Sequence, residues 1–334
     1  MLPRADLWLT QTGDARPEAA PSFCMRLPVA SPSSLLRRLT IAAVTALLAL
    51  PALAEEPVTV ADIGEPFAGA RPVSLEKAPD AAQERSPIRF LLTFDDGPDS
   101  GPDGSTPVIL RQLADNPVAP GIKAIFFVLT AHPRRGGGPA GQAQMRDTCA
   151  AGHLLAVHSG LPEGHVPHTR LTPEKLADSL RSGEADIVAQ CGHVALVVRP
   201  PDWAHNDTTE AVYRQLGLGM LMADASARDG KIYGWHISLR RRSHMVSELE
   251  RVGRAMATHR LEPVDGVVPV VVAFHDTNDF TASHMTEYLQ ILVDAARENG
   301  LPLADPPFYT DTGALEHAAV VRAAAGVYAR ESWP

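Results

Sequence analysis

The sequence is short of several things. Phe, Trp and Tyr together make up 5% of its 334 residues, so it offers few rings for stacking on sugars or bases. It has no excess of positive charge: the formal net charge is −9, which gives no electrostatic reason to expect nucleic acid or anionic lipid as a partner. Three cysteines are too few for a disulfide-built scaffold. The apolar run Leu39 to Leu50, LTIAAVTALLAL, is too short to cross a bilayer comfortably, and no repeat recurs at a fixed period. What is present is a 45% hydrophobic chain, enough for a sizeable core in one large or two small domains, with 29 Pro and 25 Gly that predict many loops.

The N-terminal region reads as a targeting segment. Arg37-Arg38 precedes the apolar run, and Ala52-Leu53-Ala54 supplies an A-x-A-like cleavage site. Residues 1–54 are therefore expected to be a signal peptide region, with Met25 as an alternative start, and the protein is expected to be exported to the periplasm or secreted. No stable membrane span would remain after cleavage. Cys149 and Cys191 would then meet an oxidising compartment, either as one disulfide or as two buried thiols. Residues 55–87, rich in Pro, Ala and charge, read as a linker or surface strap, and 311–334 as a C-terminal tail.

From Ile88 the texture changes. Apolar, β-favouring runs at 88–94, 123–130, 153–158, 193–199, 218–224 and 267–276 alternate with helical patterns at 106–116, 172–190, 207–217, 243–260 and 283–300. The helix at 172 begins with Thr172 as N-cap and Pro173 in its first turn. Unbroken Val/Ile/Leu strands imply a parallel sheet buried on both faces, hence an α/β barrel or a doubly wound sheet. In both, function sits at the carboxyl ends of the strands. Five strand ends carry titratable groups: Asp95-Asp96, His158, Arg199 with Asp202, Asp224, and His275-Asp276. Such groups gathered at one rim are costly unless paired or bound to metal.

The first of these ends, LLTFDDGP (Leu91 to Pro98), places two carboxylates side by side where water screens poorly. A divalent cation would neutralise one and leave the other as a base. The following segment, Val157 to His168, contains three histidines. Imidazole and carboxylate suit zinc, and a separate His would serve as proton donor.

TFDDGP, a His-Ser pair, an Arg-Pro-Pro segment and a late apolar-His-Asp segment occur here in the order in which the NodB-like polysaccharide deacetylases, carbohydrate esterase family 4, carry them, and the chain resembles that family over roughly residues 88–310. The resemblance implies a distorted (β/α) barrel of about seven strands over 88–310. It also implies metal-dependent hydrolysis of acetyl groups on a polysaccharide or oligosaccharide. By the same resemblance Asp95 is the general base, Asp96 and His158 are metal ligands, Arg199 pairs with the base, and His275 is the general acid.

The chain departs from the family at the second ligand histidine, where Pro162 stands four residues after His158 and three residues look inserted. His165 keeps the phase of the segment that follows and is the expected third ligand, with His168 as the alternative. The aspartate that orients His275 is Asp224 or Asp229; Asp224, nearer the strand end, is the expected one. Asp202 and Trp203 replace the family's aromatic and glycine, Ala273 stands where a leucine is usual, and Trp235 loosely matches a further family tryptophan. Trp203 reads equally as a sugar platform or as packing, and Arg240 to Arg242 as a solvated charge run. The expected function is removal of acetyl groups, N-acetyl first, from a cell-envelope or extracellular polysaccharide with a divalent ion, zinc. The alternatives are an inactive carbohydrate-binding protein on the same fold and a hydrolase of a non-sugar amide or ester.

Overall fold

Alternation decides the architecture. In β1 (Ile88–Gly97), Ile88, Phe90, Leu92 and Phe94 enter one buried cluster while Leu91 enters another, because successive side chains leave a strand on opposite faces. β2 (Ala124–Leu129) repeats this, with Ala124, Phe126 and Val128 on the first face and Ile125 and Phe127 on the second. So does β7 (Val268–His275), with Val268, Val270, Val272 and Phe274 opposite Val271 and Ala273. The first face is covered by the helices. The second lines the inside of the curled sheet.

The computed structural model describes residues 86–101, 103–229 and 240–325, within a unit spanning Leu75–Pro334. The signal segment, most of the strap and Trp235 lie outside the described residues. β3 (Leu154–Ser159), β4 (Val197–Val198), β5 (Gly219–Met220) and β6 (Ala225–Ser226) complete a path in the order β5-β4-β3-β2-β1-β7-β6. Every described pairing between these strands is parallel. β8 (Leu303–Phe308) also pairs with β1, as an eighth strand off the path. The path of seven strands curls into a half-barrel, as the sequence predicts.

The helices are α1 (Ser105–Ala114), α2 (Pro139–Ala150), α3 (Pro173–Cys191), α4 (Asp207–Gln215), α5 (Arg241–Ala257), α6 (Asp279–Ser283), α7 (Met285–Glu298) and α8 (Thr312–Ala325). Thr172 caps α3 by accepting from the Lys175 N–H, and Gly192 ends the helix in the left-handed region with φ 73°. The runs at 193–199 and 218–224 form strands of only two residues each. The residues read as a tail contribute α8, which buries Leu315, Ala318, Ala319 and Ala323 against the inner face of the sheet. The charge run also departs from expectation: Arg241 pairs with Glu287 and Arg242 with Glu298, each at 2.6 Å, joining α5 to α7.

Cys149 and Cys191 form a disulfide that ties α2 to α3 across 42 residues. Loop-closure entropy for a loop of that length is worth up to about 4 kcal/mol at 25 °C. The double variant Cys149→Ser/Cys191→Ser is expected to unfold at lower denaturant, with a loss of about 2–4 kcal/mol, measured by equilibrium urea unfolding.

Candidate active site

The pleat brings the first two groups together. Asp95 on β1 and His275 on β7 are register partners, and both continue the inner face begun by Leu91 and Val271. Asp96 would alternate to the outer face, but it is the extra residue of a β-bulge: Asp95 aligns with Phe127 and Gly97 with Val128. Its φ of 74° lies in the left-handed region. His158 is likewise skipped on β3, where Val157 aligns with Val128 and Ser159 with Leu129. The bulge at Asp96 re-aims that side chain at the rim, whereas His158, two residues after inner-facing Ala156, faces it in phase.

Asp95 is buried. Its Oδ1 accepts from Arg199 Nη1 at 2.8 Å; the same nitrogen donates to Thr93 Oγ1 at 2.6 Å, and Arg199 Nε donates to the Leu221 carbonyl at 2.9 Å. Arg199 is fully buried, with its guanidinium 4.2 Å from the Phe127 ring centroid and 5.1 Å from that of Trp203. Trp203 covers the arginine and, partly buried, packs against the inner cluster.

Asp96 faces a different set. Its Oδ1 lies 3.3 Å from His158 Nε2 and 3.5 Å from His165 Nε2, and its Oδ2 4.0 Å from His275 Nε2. Oδ1 is a buried atom with no hydrogen-bonding partner. His158 Nδ1 donates to the Arg199 carbonyl at 2.8 Å, which fixes the tautomer and turns the Nε2 lone pair toward that oxygen. Burial disfavours a charged Asp96, but the three imidazoles around it outweigh this and hold its pKa well below the usual carboxylate range. Burial opposes a charged His158 too, yet Asp96, Asp95 and the Arg199 carbonyl raise its pKa. Two acceptors pointed at each other require a cation between them, a proton or a metal. Asp96, His158 and His165 offer three ligand atoms all within 4.8 Å of one another, so the residues fit a divalent ion.

His168, the alternative ligand, is placed elsewhere. It is fully buried; its Nε2 donates to the His158 carbonyl at 3.1 Å and its Nδ1 accepts from the Tyr213 hydroxyl at 2.7 Å. Burial pushes its pKa down to about 3, in keeping with a neutral ring whose two nitrogens are both engaged.

Asp224 is not the partner of His275. Its Oδ2 accepts from the Val271 N–H at 2.8 Å and its Oδ1 from Arg322 Nη2 at 2.7 Å, so it anchors α8 to the sheet. It precedes β6 and so stands below the rim. Asp229, three residues past β6, reaches the rim and takes the role: its Oδ1 accepts from His275 Nδ1 at 2.7 Å. Its Oδ2 accepts from the His275 N–H at 2.9 Å and the Thr281 hydroxyl at 2.6 Å. Burial lowers the pKa of His275, but Asp229 first, then Asp95 and Asp96, push it up to about 10.

Asp276, seen in the sequence without a role, is fully buried and accepts from Thr106 Oγ1 at 2.7 Å. A methyl on Gly97 would lie 2.1 Å from its Oδ2, so the glycine after the aspartate pair makes room for this carboxyl. Burial pushes the Asp276 pKa up to about 7.

In protein treated with chelator, Asp229→Asn is expected to lower the His275 pKa toward its ordinary 6.5, read by NMR titration of the imidazole, while Asp224→Asn leaves it in place. Because the folded pKa is the higher one, this pairing stabilises fully below about pH 6.5 and fades as pH climbs through about 10. Urea unfolding across that window is expected to lose this slope in Asp229→Asn.

Residues 82–221 match the polysaccharide deacetylase family profile. The peptidoglycan-N-acetylglucosamine deacetylase PgdA of Listeria monocytogenes is 26% identical over 176 residues, 48% of this chain. The match spans only 34% of that relative's length. The chitin deacetylase of Colletotrichum lindemuthianum aligns over 66% of this chain and 85% of its own, at 20% identity and a TM-score of 0.51, and so shares the fold. A family 4 carbohydrate esterase from Streptomyces lividans aligns over 62% of this chain and 88% of its own, at 22% identity and a TM-score of 0.46. The stretch that matches the polysaccharide deacetylase family, residues 82–221, holds Asp95, Asp96, His158, His165 and Arg199.

Proposed function

We propose that the protein is a metal-dependent hydrolase that removes acetyl groups, N-acetyl first, from a cell-envelope or extracellular polysaccharide. The observation that carries this reading is the buried, unpartnered Oδ1 of Asp96 facing two imidazole nitrogens, beside a second carboxylate and a third histidine. Asp96, His158 and His165 would hold the ion. One carboxylate and two imidazoles suit zinc. A divalent ion bound there supplies Lewis acidity for acyl transfer to water.

The remaining roles belong to the chain. Asp95, fixed by Arg199, takes a proton from the attacking water. His275 keeps Nδ1 on Asp229 and presents Nε2 to the site, so its Nε2 proton goes to the leaving amine. The acyl C–N bond breaks, a C–O bond forms, and the products are acetate and a free amine. Arg199 is then a positioning residue for the base, as Asp229 is for the acid. The proton-transfer and ligand groups are all gathered here, which favours the enzyme over an inactive binding protein.

The substrate class is supported by PgdA, named for peptidoglycan N-acetylglucosamine, and by the chitin deacetylase that shares the fold. Both names place the acetyl group on an amino-sugar polymer. Export to the periplasm or beyond fits such a polymer, the Arg37 to Ala54 segment and the Cys149–Cys191 disulfide. No helix among the described residues is long and apolar enough to cross a membrane.

Acetate release from N-acetylated peptidoglycan or chitooligosaccharide is expected to stop on chelation and return with zinc. Asp95→Asn is expected to lower turnover by about 10²-fold or more with zinc still bound; unchanged turnover would remove Asp95 from the mechanism. Anomalous diffraction from zinc-soaked crystals is expected to show a peak bounded by Asp96, His158 and His165.

A further inference from the structure

His165 is an awkward ligand. It stands seven residues after His158, on a loop with Gly160, Pro162 and Gly164, so no helical or strand register fixes the distance between the two imidazoles. The loop's own bonds are few: Gly164 N–H donates to the Leu161 carbonyl at 3.0 Å and Val166 N–H to the Gly164 carbonyl at 2.8 Å. Its first residue is wedged, because a methyl on Gly160 would lie 2.0 Å from the Ser179 carbonyl oxygen of α3. Its far end is tied by His168 to the His158 carbonyl. Between these anchors the His165 ring meets the His158 ring, centroids 5.5 Å apart, and the backbone before it rests on a further support.

The turn after β2 supplies it. Gly164 has φ 78° and sits against the ring of His132: a methyl there would come within 2.8 Å of His132 Cδ2, 3.3 Å of its Cγ and 3.4 Å of Leu129 Cδ1. Gly164 is the residue immediately before His165. His132 Nδ1 is a buried atom with no hydrogen-bonding partner, so that nitrogen contributes no hydrogen bond to the contact. The turn itself is braced: Arg135 and Gly137 N–H groups donate to the His132 carbonyl, and Arg135 Nη1 pairs with Asp99 at 2.6 Å, three residues after Asp96. One turn thus touches both the loop that carries His165 and the segment that follows Asp96.

We infer that His132 is a positioning residue for the metal centre, a ring-shaped stop against which Gly164 rests so that His165 Nε2 is held in reach of Asp96. It is not a ligand, and its role is shape. The inference rests on the metal reading above.

Zinc affinity of the mature protein, measured by isothermal titration calorimetry, tests it for the native protein, His165→Ala, His132→Ala and His132→Phe. The thermal midpoint of each chelated variant is recorded alongside. His132→Ala is expected to weaken zinc binding by about 10-fold or more without lowering the chelated midpoint. His132→Phe, which keeps a ring and removes both imidazole nitrogens, is expected to bind zinc as the native protein does. If His165→Ala loses affinity while His132→Ala does not, the inference falls and the metal reading stands. If His132→Phe is as weak as His132→Ala, the imidazole nitrogens matter and the stop is wrong. If the native protein and His165→Ala bind zinc alike, the metal reading falls and takes the inference with it.

Discussion

Two adjacent carboxylates at the end of a buried strand repel, and everything at the rim is arranged around that repulsion. Asp95 is claimed by Arg199, a guanidinium that is itself buried between the Phe127 and Trp203 rings and hydrogen-bonded to Leu221. Asp96 is claimed by three imidazoles. The two charges are compatible because each belongs to a different set of partners, and on the proposed function the separation of the sets would let one carboxylate act as a base and the other as a ligand. Moving either side chain into the other's set would recreate the unscreened pair.

That separation comes from the backbone. In a regular strand Asp95 and Asp96 would leave on opposite faces and only one would reach the site. The bulge at Asp96 breaks the two-residue period, so its side chain turns toward the rim that His158, two residues after inner-facing Ala156, faces in phase, while the cores on either side of the sheet stay in register. The left-handed φ of Asp96, unusual for a residue with a side chain, is a local cost met by the surrounding pairing.

Much of this was legible in the sequence, for physical reasons that differ between elements. β1, β2, β3 and β7 are continuous apolar runs because both their faces are buried, and such runs stand out. The strand-end residues Asp95, Asp96, His158 and His275, with Arg199 after β4, stand out because a polar group ends an apolar run, and the structure gathers them. Asp229 was harder: it sits beyond a two-residue strand, where proximity in sequence favoured Asp224, and only the loop path shows which carboxylate reaches His275. α2, with its weakly amphipathic PAGQAQMRDTCA, and α8, whose buried face is mostly alanine, gave no strong periodic signal. His132 gave none at all, since what matters about it is the shape of a ring beside a glycine 32 positions away.

The placement of α8 has a geometric consequence. Its apolar side lies on the inner face of the half-barrel with Leu91, Ile125 and Val271, and Arg322 is bonded to Asp224 beneath the catalytic rim. The interior is thus filled from below, and the barrel is a shallow dish with a solid floor, not a tunnel. A long polymer has no bore to thread. On the proposed function, a polymer would be met at the open rim, where Asp95 and His275 stand side by side.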